Sequence, residues 1–207
     1  MAILIKYAES QAEKEALYRV RYQVFVEEEG YMAPNADGRI TDRFDDYATT
    51  CNLIVVDDGR VVGGARCTQR DTLGMPPEEF YDFNGLGVAP SSRMGSASQF
   101  CLLQAYRNSR AAIYVMGMAH YWFKTQGLSH IICAINPEIQ PLMTKVGYQA
   151  LAPEQYDAAK GLAFVPMCLD MRDLCSSQYR FVKRQQGDVF YVSGATERLE
   201  VGYRKAA

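Results

Sequence analysis

The sequence predicts an α/β (α+β) protein built on one central, mixed β-sheet. Three observations carry this. Strand-like and helix-like runs alternate along most of the 207 residues, the order from which a single sheet flanked by helices assembles. An Asp58-Gly59 pair sits between two β-branched runs, the signal of a tight antiparallel hairpin. Later, strand–helix–strand order permits a parallel crossover.

The elements follow in order. "AILIKYA" at 2–8 reads as a first strand. A helix spans about 11–29, where Ser10 and Glu13 form a capping box and Leu17, Val20, Val24 and Phe25 recur at helical spacing. Arg21 stands four residues from both Leu17 and Phe25, on the same face. A charge there is costly unless paired, so Arg21 either snorkels its head to water or meets partner charges. Glu27, Glu28 and Glu29 read as a solvated helix end, or one of them contacts an amine. Residues 30–48 form a long polar loop, and loops of that length are often functional. "CNLIVVDDGRVVGGARCTQ" (51–69) is the hairpin, and "PPEEFYDF" (76–83) a short helical turn. "NGLGVAP" (84–90) reads as a strand bulged at Gly85 and Gly87. "SSRMGSASQFCLLQAYRN" (91–108) opens a helix, and a second helix covers about 110–126. "SHIICAI" is a buried strand, "PEIQPLMTKVGY" a short helix capped at Gly147, and "LAFVPMCLDM" a further strand. Residues 1–172 form one domain. Residues 173–207 are a C-terminal extension, a hairpin about Ser193-Gly194 packed on the same domain.

Composition narrows the function. Apolar residues make up 48% of the chain, enough for a sizeable core. The formal net charge of −2 argues against a dedicated nucleic-acid binder, despite a local basic spot at Arg180, Lys183 and Arg184. The six cysteines are scattered without a CxxC pair, and several lie in apolar runs. They read as buried thiols in a reducing cytoplasm. With His120 and His130 alone available, no metal site is expected. No signal peptide or membrane-spanning run is expected either.

Three segments carry candidate chemistry. Arg21, Phe25 and Tyr31 precede "DRFD", with Asp42 and Asp45, and "GGAR", which ends at Arg66. Two arginines and two aspartates balance as an ion network, expensive unless fully paired. It is either a structural clamp or a site that orients a polar substrate. In "NGLGVAPSSRMGSAS", a glycine bulge would turn a backbone N–H outward to polarise a carbonyl. The small residues with Arg93 would then open a helix able to hold an anion; a purely structural strand-to-helix turn fits equally. In "INPEIQPLMTKVGY", a strand ends at Asn136 before a short helix.

The last two segments resemble the GNAT N-acyltransferase superfamily. That resemblance implies a GNAT-like central mixed sheet, helices on both faces and a V-shaped strand splay. It places the loop that binds the coenzyme A pyrophosphate on Arg93, Ser96 and Ser98. The family's frequent general-acid tyrosine falls on Met143, which has no proton to donate. The N-terminal segments resemble the autoinducer-synthase-like branch, which holds acyl-homoserine-lactone synthases and N-acyl amino acid synthases. Arg21, Phe25, Tyr31, Asp42, Asp45 and Arg66 match its pattern. Lactone synthases usually carry tryptophan at Tyr31 and a Glu-x-Ser-Arg-Phe stretch, here Ser96-Ala97-Ser98-Gln99-Phe100. The missing glutamate and arginine favour the N-acyl amino acid synthases.

The resemblance implies transfer of a fatty acyl group from a thioester, on acyl carrier protein or coenzyme A, to the amine of a small acceptor. The thioester is a co-substrate, and no bound cofactor is expected. The pantetheine arm would pass between the 85–88 strand, including Leu86 and Val88, and the 131–135 strand. The bulge near Gly87 would hold the thioester carbonyl. Phe100, Leu103, Met116 and Trp122 would floor an acyl tunnel or simply belong to the core. Asp45 is the candidate base, although flanking arginines weaken it as one and suit it equally to orienting. The rival readings are a lactone synthase, a generic acetyltransferase and an inactive lipid- or partner-binding module.

Overall fold

The structure is a computed structural model and describes residues 2–86, 91, 93–107, 109–157, 161–184, 189–193 and 201–202. Strand β1 (Ala2–Tyr7) leads into helix α1 (Gln11–Tyr22). The Ser10 hydroxyl accepts from the Glu13 N–H at 3.2 Å, and the Glu13 carboxylate accepts from the Ser10 N–H at 3.2 Å. The capping box thus satisfies two amides that the helix leaves free. The helix does not stop at Tyr22. Gln23–Glu28 continue it as a π-helical turn, whose wider winding changes which residues face inward.

The hairpin strands β2 (Thr50–Asp57) and β3 (Arg60–Gln69) meet at Asp58 (φ 48°) and Gly59 (φ 76°), as a two-residue turn with two positive φ angles requires. There follow β4 (Met94–Leu102), α2 (Ala111–Thr125), β5 (His130–Ile135) and α3 (Gln140–Val146). Gly147, at φ 123°, ends α3. Short strands β6 (Gln149–Ala150) and β7 (Gln155–Asp157) precede β8 (Leu162–Asp170). The chain continues through α4 (Ser176–Arg184), β9 (Val189–Ser193) and β10 (Val201–Gly202).

The sheet runs β10-β9-β1-β2-β3-β4-β5-β8-β6, with β7 also paired to β8. Every pairing is antiparallel except β4 with β5. Residues beyond 173 therefore enter the same sheet, as β9 on the outer edge of β1. Among the described residues no helix is long and apolar enough to cross a membrane.

Helices cover both faces, and glycines show which face each takes. A Cβ on Gly64 would meet Leu17 of α1, whereas one on Gly95 would meet Phe123 of α2. Gly95 pairs with Gln69, whose odd-numbered side of β3 is opposite that of Gly64 and Arg66. Hence α1 packs on the Arg66 face and α2 on the other. At Gly64 an added Cβ would lie 2.1 Å from the Leu53 carbonyl oxygen and 2.7 Å from Leu17 Cδ1. A backbone oxygen cannot swing aside as a side-chain end can. Gly64→Ala is expected to destabilise by about 2–3 kcal/mol, seen as a lower urea midpoint at unchanged slope.

The segment before α2 departs from the sequence expectation. Residues 83–86 form a turn, with the Leu86 N–H donating to the Asp82 and Phe83 carbonyls. Gly87 and Val88 lie outside the described residues. The sheet strand is β4, within the stretch expected to open a helix. Ala favours a helix while Gly and Ser oppose it, so the run has little net preference. Pairing with β3 and β5 decides, and the close approach of Phe123 and Leu128 at Gly95 requires a residue without a side chain.

Strand β4 carries two features that shape the site. It pairs with β5 over Met94–Ser96 against His130–Ile132. Beyond that point β4 stays with β3 and β5 with β8, so the two part in a V. Ser98 faces Arg66 and Cys101 faces Gly64, which leaves Gln99 and Phe100 together opposite one residue. Strand β4 thus carries a bulge, with Gln99 at φ 52° supplying the left-handed backbone; the bulge expected near Gly87 lies outside the described residues.

Candidate active site

The arginine on the apolar stripe is fully buried and paired. Arg21 and Arg66 are 0% and 1% exposed, and Asp45 6%. Arg21 Nη1 donates to both Asp45 oxygens, at 2.9 and 3.0 Å, and Nη2 to Asn52 Oδ1 of β2 at 2.7 Å. Arg66 Nη1 donates to Asp45 Oδ2 at 3.1 Å and also to Asp42, while Nη2 reaches Asp42 Oδ2 at 2.9 Å. Two cations and two anions from three segments thus close one network.

Local sequence prepares both carboxylates. "DRFD" folds as a 3₁₀ turn over Arg43–Asp46. Asp42 accepts from the Phe44 N–H at 2.9 Å, and Asp45 accepts from the Asp42 N–H at 3.1 Å. This reciprocal cap holds the pair in one orientation before either arginine arrives. The Phe44 ring lies under Arg66, 5.6 Å from ring centroid to guanidinium carbon, and the Tyr18 ring lies 5.1 Å from that of Arg21. Aromatic faces therefore take contacts that water would otherwise make.

The two aspartates differ in what they can do. Asp45 is enclosed by its donors. The Asp42 side chain keeps 37% exposure and reaches the surface. Partial burial pushes the Asp42 carboxyl up, but the hydrogen bonds and charge of Arg66 outweigh it and hold it below its ordinary value. Asp42 is therefore an ionised acceptor at neutral pH, able to attract an ammonium and poor at taking a proton from it.

The network reaches the strand splay through one side chain. Arg66 Nε donates to Ser98 Oγ at 3.1 Å, immediately before the bulge. Phe100, on the bulge, is 46% exposed. Asn136 follows the last residue of β5 at the open end of the V and donates through Nδ2 to the Tyr31 oxygen at 3.3 Å. Tyr31 stays close to the π-turn because the Met32 N–H donates to the Phe25 carbonyl at 3.0 Å. Phe25 itself packs partly buried against the core.

Other expected residues fall elsewhere. Arg93 lies exposed in the turn before β4, Ser96 is fully buried within β4, and Ser98 serves Arg66. None of them opens a helix, so the anion-binding loop expected on these three is not built there. Leu86 joins a separate apolar cluster with Met75, Tyr81, Phe83, Met94 and Ile132. Leu103 and Trp122 are buried in the main core, with Met116 packed against it. Glu28 and Glu29 are not simply a solvated helix end. Both pair with Arg107, and Glu28 also accepts from the Gln104 N–H at 3.1 Å. Asn52 and Arg107 are the partners that sequence reasoning missed. A polar residue inside the apolar run "CNLIVV" was a signal for Asn52. Arg107 had none, since its partners lie 78 and 79 residues away.

Comparison with known proteins gives a family match and a shared fold. The sequence model of the N-acyl amino acid synthase FeeM family matches residues 16–170. A curated L-ornithine N(alpha)-acyltransferase from Agrobacterium fabrum (strain C58 / ATCC 33970) is 29% identical over 150 residues, 66% of this chain. The match spans 51% of that protein's length, about half. The solved structure of FeeM, an N-acyl amino acid synthase from uncultured soil microbes, superposes with a TM-score of 0.69 at 13% identity. It covers 86% of this chain and 96% of that one. The CoA-dependent acyl-homoserine lactone synthase BjaI with MTA gives a TM-score of 0.71 at 19% identity, covering 87% of each chain. At these identities the two structures speak for a shared fold.

Proposed function

The chain belongs to the N-acyl amino acid synthase FeeM family, and from that premise we propose that it moves a fatty acyl group from a thioester to the amine of an amino acid. The observation that carries this is the tie between the buried Arg21–Asp45–Arg66–Asp42 network and the bulged, splayed strand β4 through Ser98. It sets an anionic rim beside a gap between strands.

In this reading the pantetheine arm lies between β4 and β5 beyond Ser96 and Ile132, where the two no longer pair. The backbone of the Gln99–Phe100 bulge takes the thioester carbonyl, the role expected of Gly87. Donors aimed at that oxygen stabilise the charge that develops as the amine attacks. Asp42 receives the acceptor's ammonium at the rim. Asp45 is occupied by Arg21, Arg66 and the Asp42 amide, so it orients the site and leaves proton removal to water. Phe25, Tyr31 and Phe100 wall the acceptor and acyl groups.

Acyl carrier protein is the donor we favour. Neither α2 nor α4 contains an acidic residue. Arg110, Arg180 and Lys183 are exposed at the surface of that face, where α4 is tied to α2 by the Gln178 side chain and the Ile113 carbonyl. Such a face suits an acidic carrier.

Mass spectrometry of lipid extracts from overexpressing cells tests the reading, with purified protein then given acyl carrier protein and coenzyme A thioesters separately. The expected product is a new N-acyl amino acid that disappears with Asp42→Asn. New acyl-homoserine lactones would favour the lactone synthase instead. A folded, abundant protein that yields no acylated amine from either donor would favour the binding module.

A further inference from the structure

The wall that faces the splay hangs on an unusual segment. Phe25 lies in the π-turn and Tyr31 just beyond it. Such turns are rare and recur at functional sites. The last backbone bond of this one runs from the Glu29 N–H to the Val24 carbonyl at 3.0 Å. Arg107, between β4 and α2, ties that end down. Its Nε donates to the carbonyl of Leu102, the last residue of β4, at 3.0 Å. Its Nη1 donates to Glu29 and its Nη2 to Glu28. All three guanidinium nitrogens are therefore engaged. The Gln104 N–H adds a second tie to Glu28 at 3.1 Å. The Glu28 side chain keeps 16% exposure and that of Arg107 33%, so these pairs escape much of the screening that weakens ion pairs in open solvent.

The contacts continue across the opening. The Tyr31 hydroxyl donates to the Glu29 carboxylate; burial first, and then that carboxylate, push its phenol up. From the other side Asn136 Nδ2 donates to the Tyr31 oxygen at 3.3 Å. The Asn136 carboxamide is itself fixed, because its Oδ1 accepts from the Glu138 N–H at 3.0 Å. Leu102 ends β4, and Asn136 follows the last residue of β5. Arg107, Glu29, Tyr31 and Asn136 thus form a hydrogen-bonded bridge between the ends of the two strands that part in the V. The bridge stands at the mouth of the gap assigned to the thioester.

We propose that Arg107 is a positioning residue for the acyl transfer, an inference that rests on the acyl-transfer reading. By tying Glu28 and Glu29 to the end of β4, it holds the Phe25–Tyr31 wall against the splay and sets which nucleophile reaches the thioester. An amine must be held close and aligned, and a misplacement of about 1 Å is costly. Water is small and abundant and needs no wall. In transfer, the amine nitrogen bonds to the thioester carbon. The carbon–sulfur bond breaks with its electron pair on sulfur, and the proton given up by nitrogen reaches the sulfur through water. Thioester and amine become amide and thiol. In the competing reaction a water oxygen bonds to the same carbon, a water proton goes to sulfur, and carboxylic acid and thiol leave. Loosening the wall therefore releases thiol without amide.

The test counts thiol and amide separately by mass spectrometry. The donors are the hexadecanoyl thioesters of acyl carrier protein and coenzyme A, and the acceptors an equimolar mixture of L-amino acids, diamino acids included. The unsubstituted protein is expected to release thiol and amide in step. Arg107→Ala is expected to lose about 10–100-fold in amide formation while hydrolysis stays within about threefold, so that thiol outruns amide. A variant that is merely less folded loses both in proportion, because the ratio does not depend on how much protein is active. Arg107→Lys keeps the charge without the fork that grips two carboxylates, and Glu29→Gln weakens the link between Arg107 and Tyr31. Both are expected to shift the ratio the same way by less, and either carries the test if Arg107→Ala does not fold. An unchanged ratio would overturn the proposal, whether both products fall or neither does. So would a raised donor KM at unchanged ratio, which would make Arg107 a donor contact. If the unsubstituted protein yields no amide from either donor, the acyl-transfer reading fails and this one falls with it. If it yields amide while the variants keep its ratio, only the role of Arg107 fails.

Discussion

Asp45→Ala is expected to cost about 3–5 kcal/mol of folding free energy, because it strands buried positive charge. Asp45 accepts from Arg21 Nη1 at 2.9 and 3.0 Å and from Arg66 Nη1 at 3.1 Å. Without it Arg21, fully buried, retains a neutral partner in Asn52. Arg66 retains Asp42 and suffers less. Much of the loss is therefore the price of leaving the Arg21 guanidinium without a counter-ion. Urea unfolding measures it. The double variant Arg21→Met/Asp45→Leu removes both charges and should recover most of the loss. A drop below about 1 kcal/mol for Asp45→Ala would mean that water reaches Arg21, contrary to its burial.

Acid is expected to destabilise the protein well above the carboxylate range, through His120. The imidazole is 1% exposed and its Nε2 lies 3.1 Å from the Tyr148 hydroxyl. Burial holds it down to about 4, against 6.5 for the free side chain, with Gln178 acting the other way. The unfolded chain thus binds a proton through this window while the fold does not. Stability is full above about pH 6.5, falls as pH drops, and levels off below about 4. Linkage makes the total about 3 kcal/mol. Other groups titrate nearby, so the readout is the difference between this chain and His120→Gln. The variant should lack the slope between pH 6.5 and 4. Parallel curves would show that the histidine is protonated as easily inside as out.

The network around Arg21 was legible because its parts carry strong local signals. Residue spacing alone puts Arg21 on the buried face of a helix capped by Ser10 and Glu13. "DRFD" closes its own turn, and "GGAR" supplies the small residues that let β3 approach α1. The hairpin at Asp58-Gly59 and the helix end at Gly147 were equally plain, since both require positive φ. A charge on an apolar stripe implies a partner, and the nearby aspartates were the ones to ask about.

Strand β4 was not legible, and the site suffered for it. "MGSASQFCL" holds three small polar or glycine positions that are compatible with a helix start, and its bulge sets Gln99, a residue with no turn signal, at positive φ. Arg93, Ser96 and Ser98 were consequently placed on a helix that does not exist. The pairings of Arg107 with Glu28 and Glu29, and of Asn136 with Tyr31, join segments distant in sequence. Helix α4 was not expected, and the C-terminal hairpin was expected to pack on the domain without β1 being named as its partner.

The amino-acid sequence by itself determined the periodicity, caps and turns of this protein, and therefore which charge had to be buried. These are interactions within a few residues, settled by backbone geometry and the spacing of apolar side chains. Only the tertiary structure decided where β4 parts from β5, where the bulge falls and which side chains meet across the opening. Those depend on neighbouring strands that compete for the same backbone hydrogen bonds, and on packing between segments that local propensity cannot see.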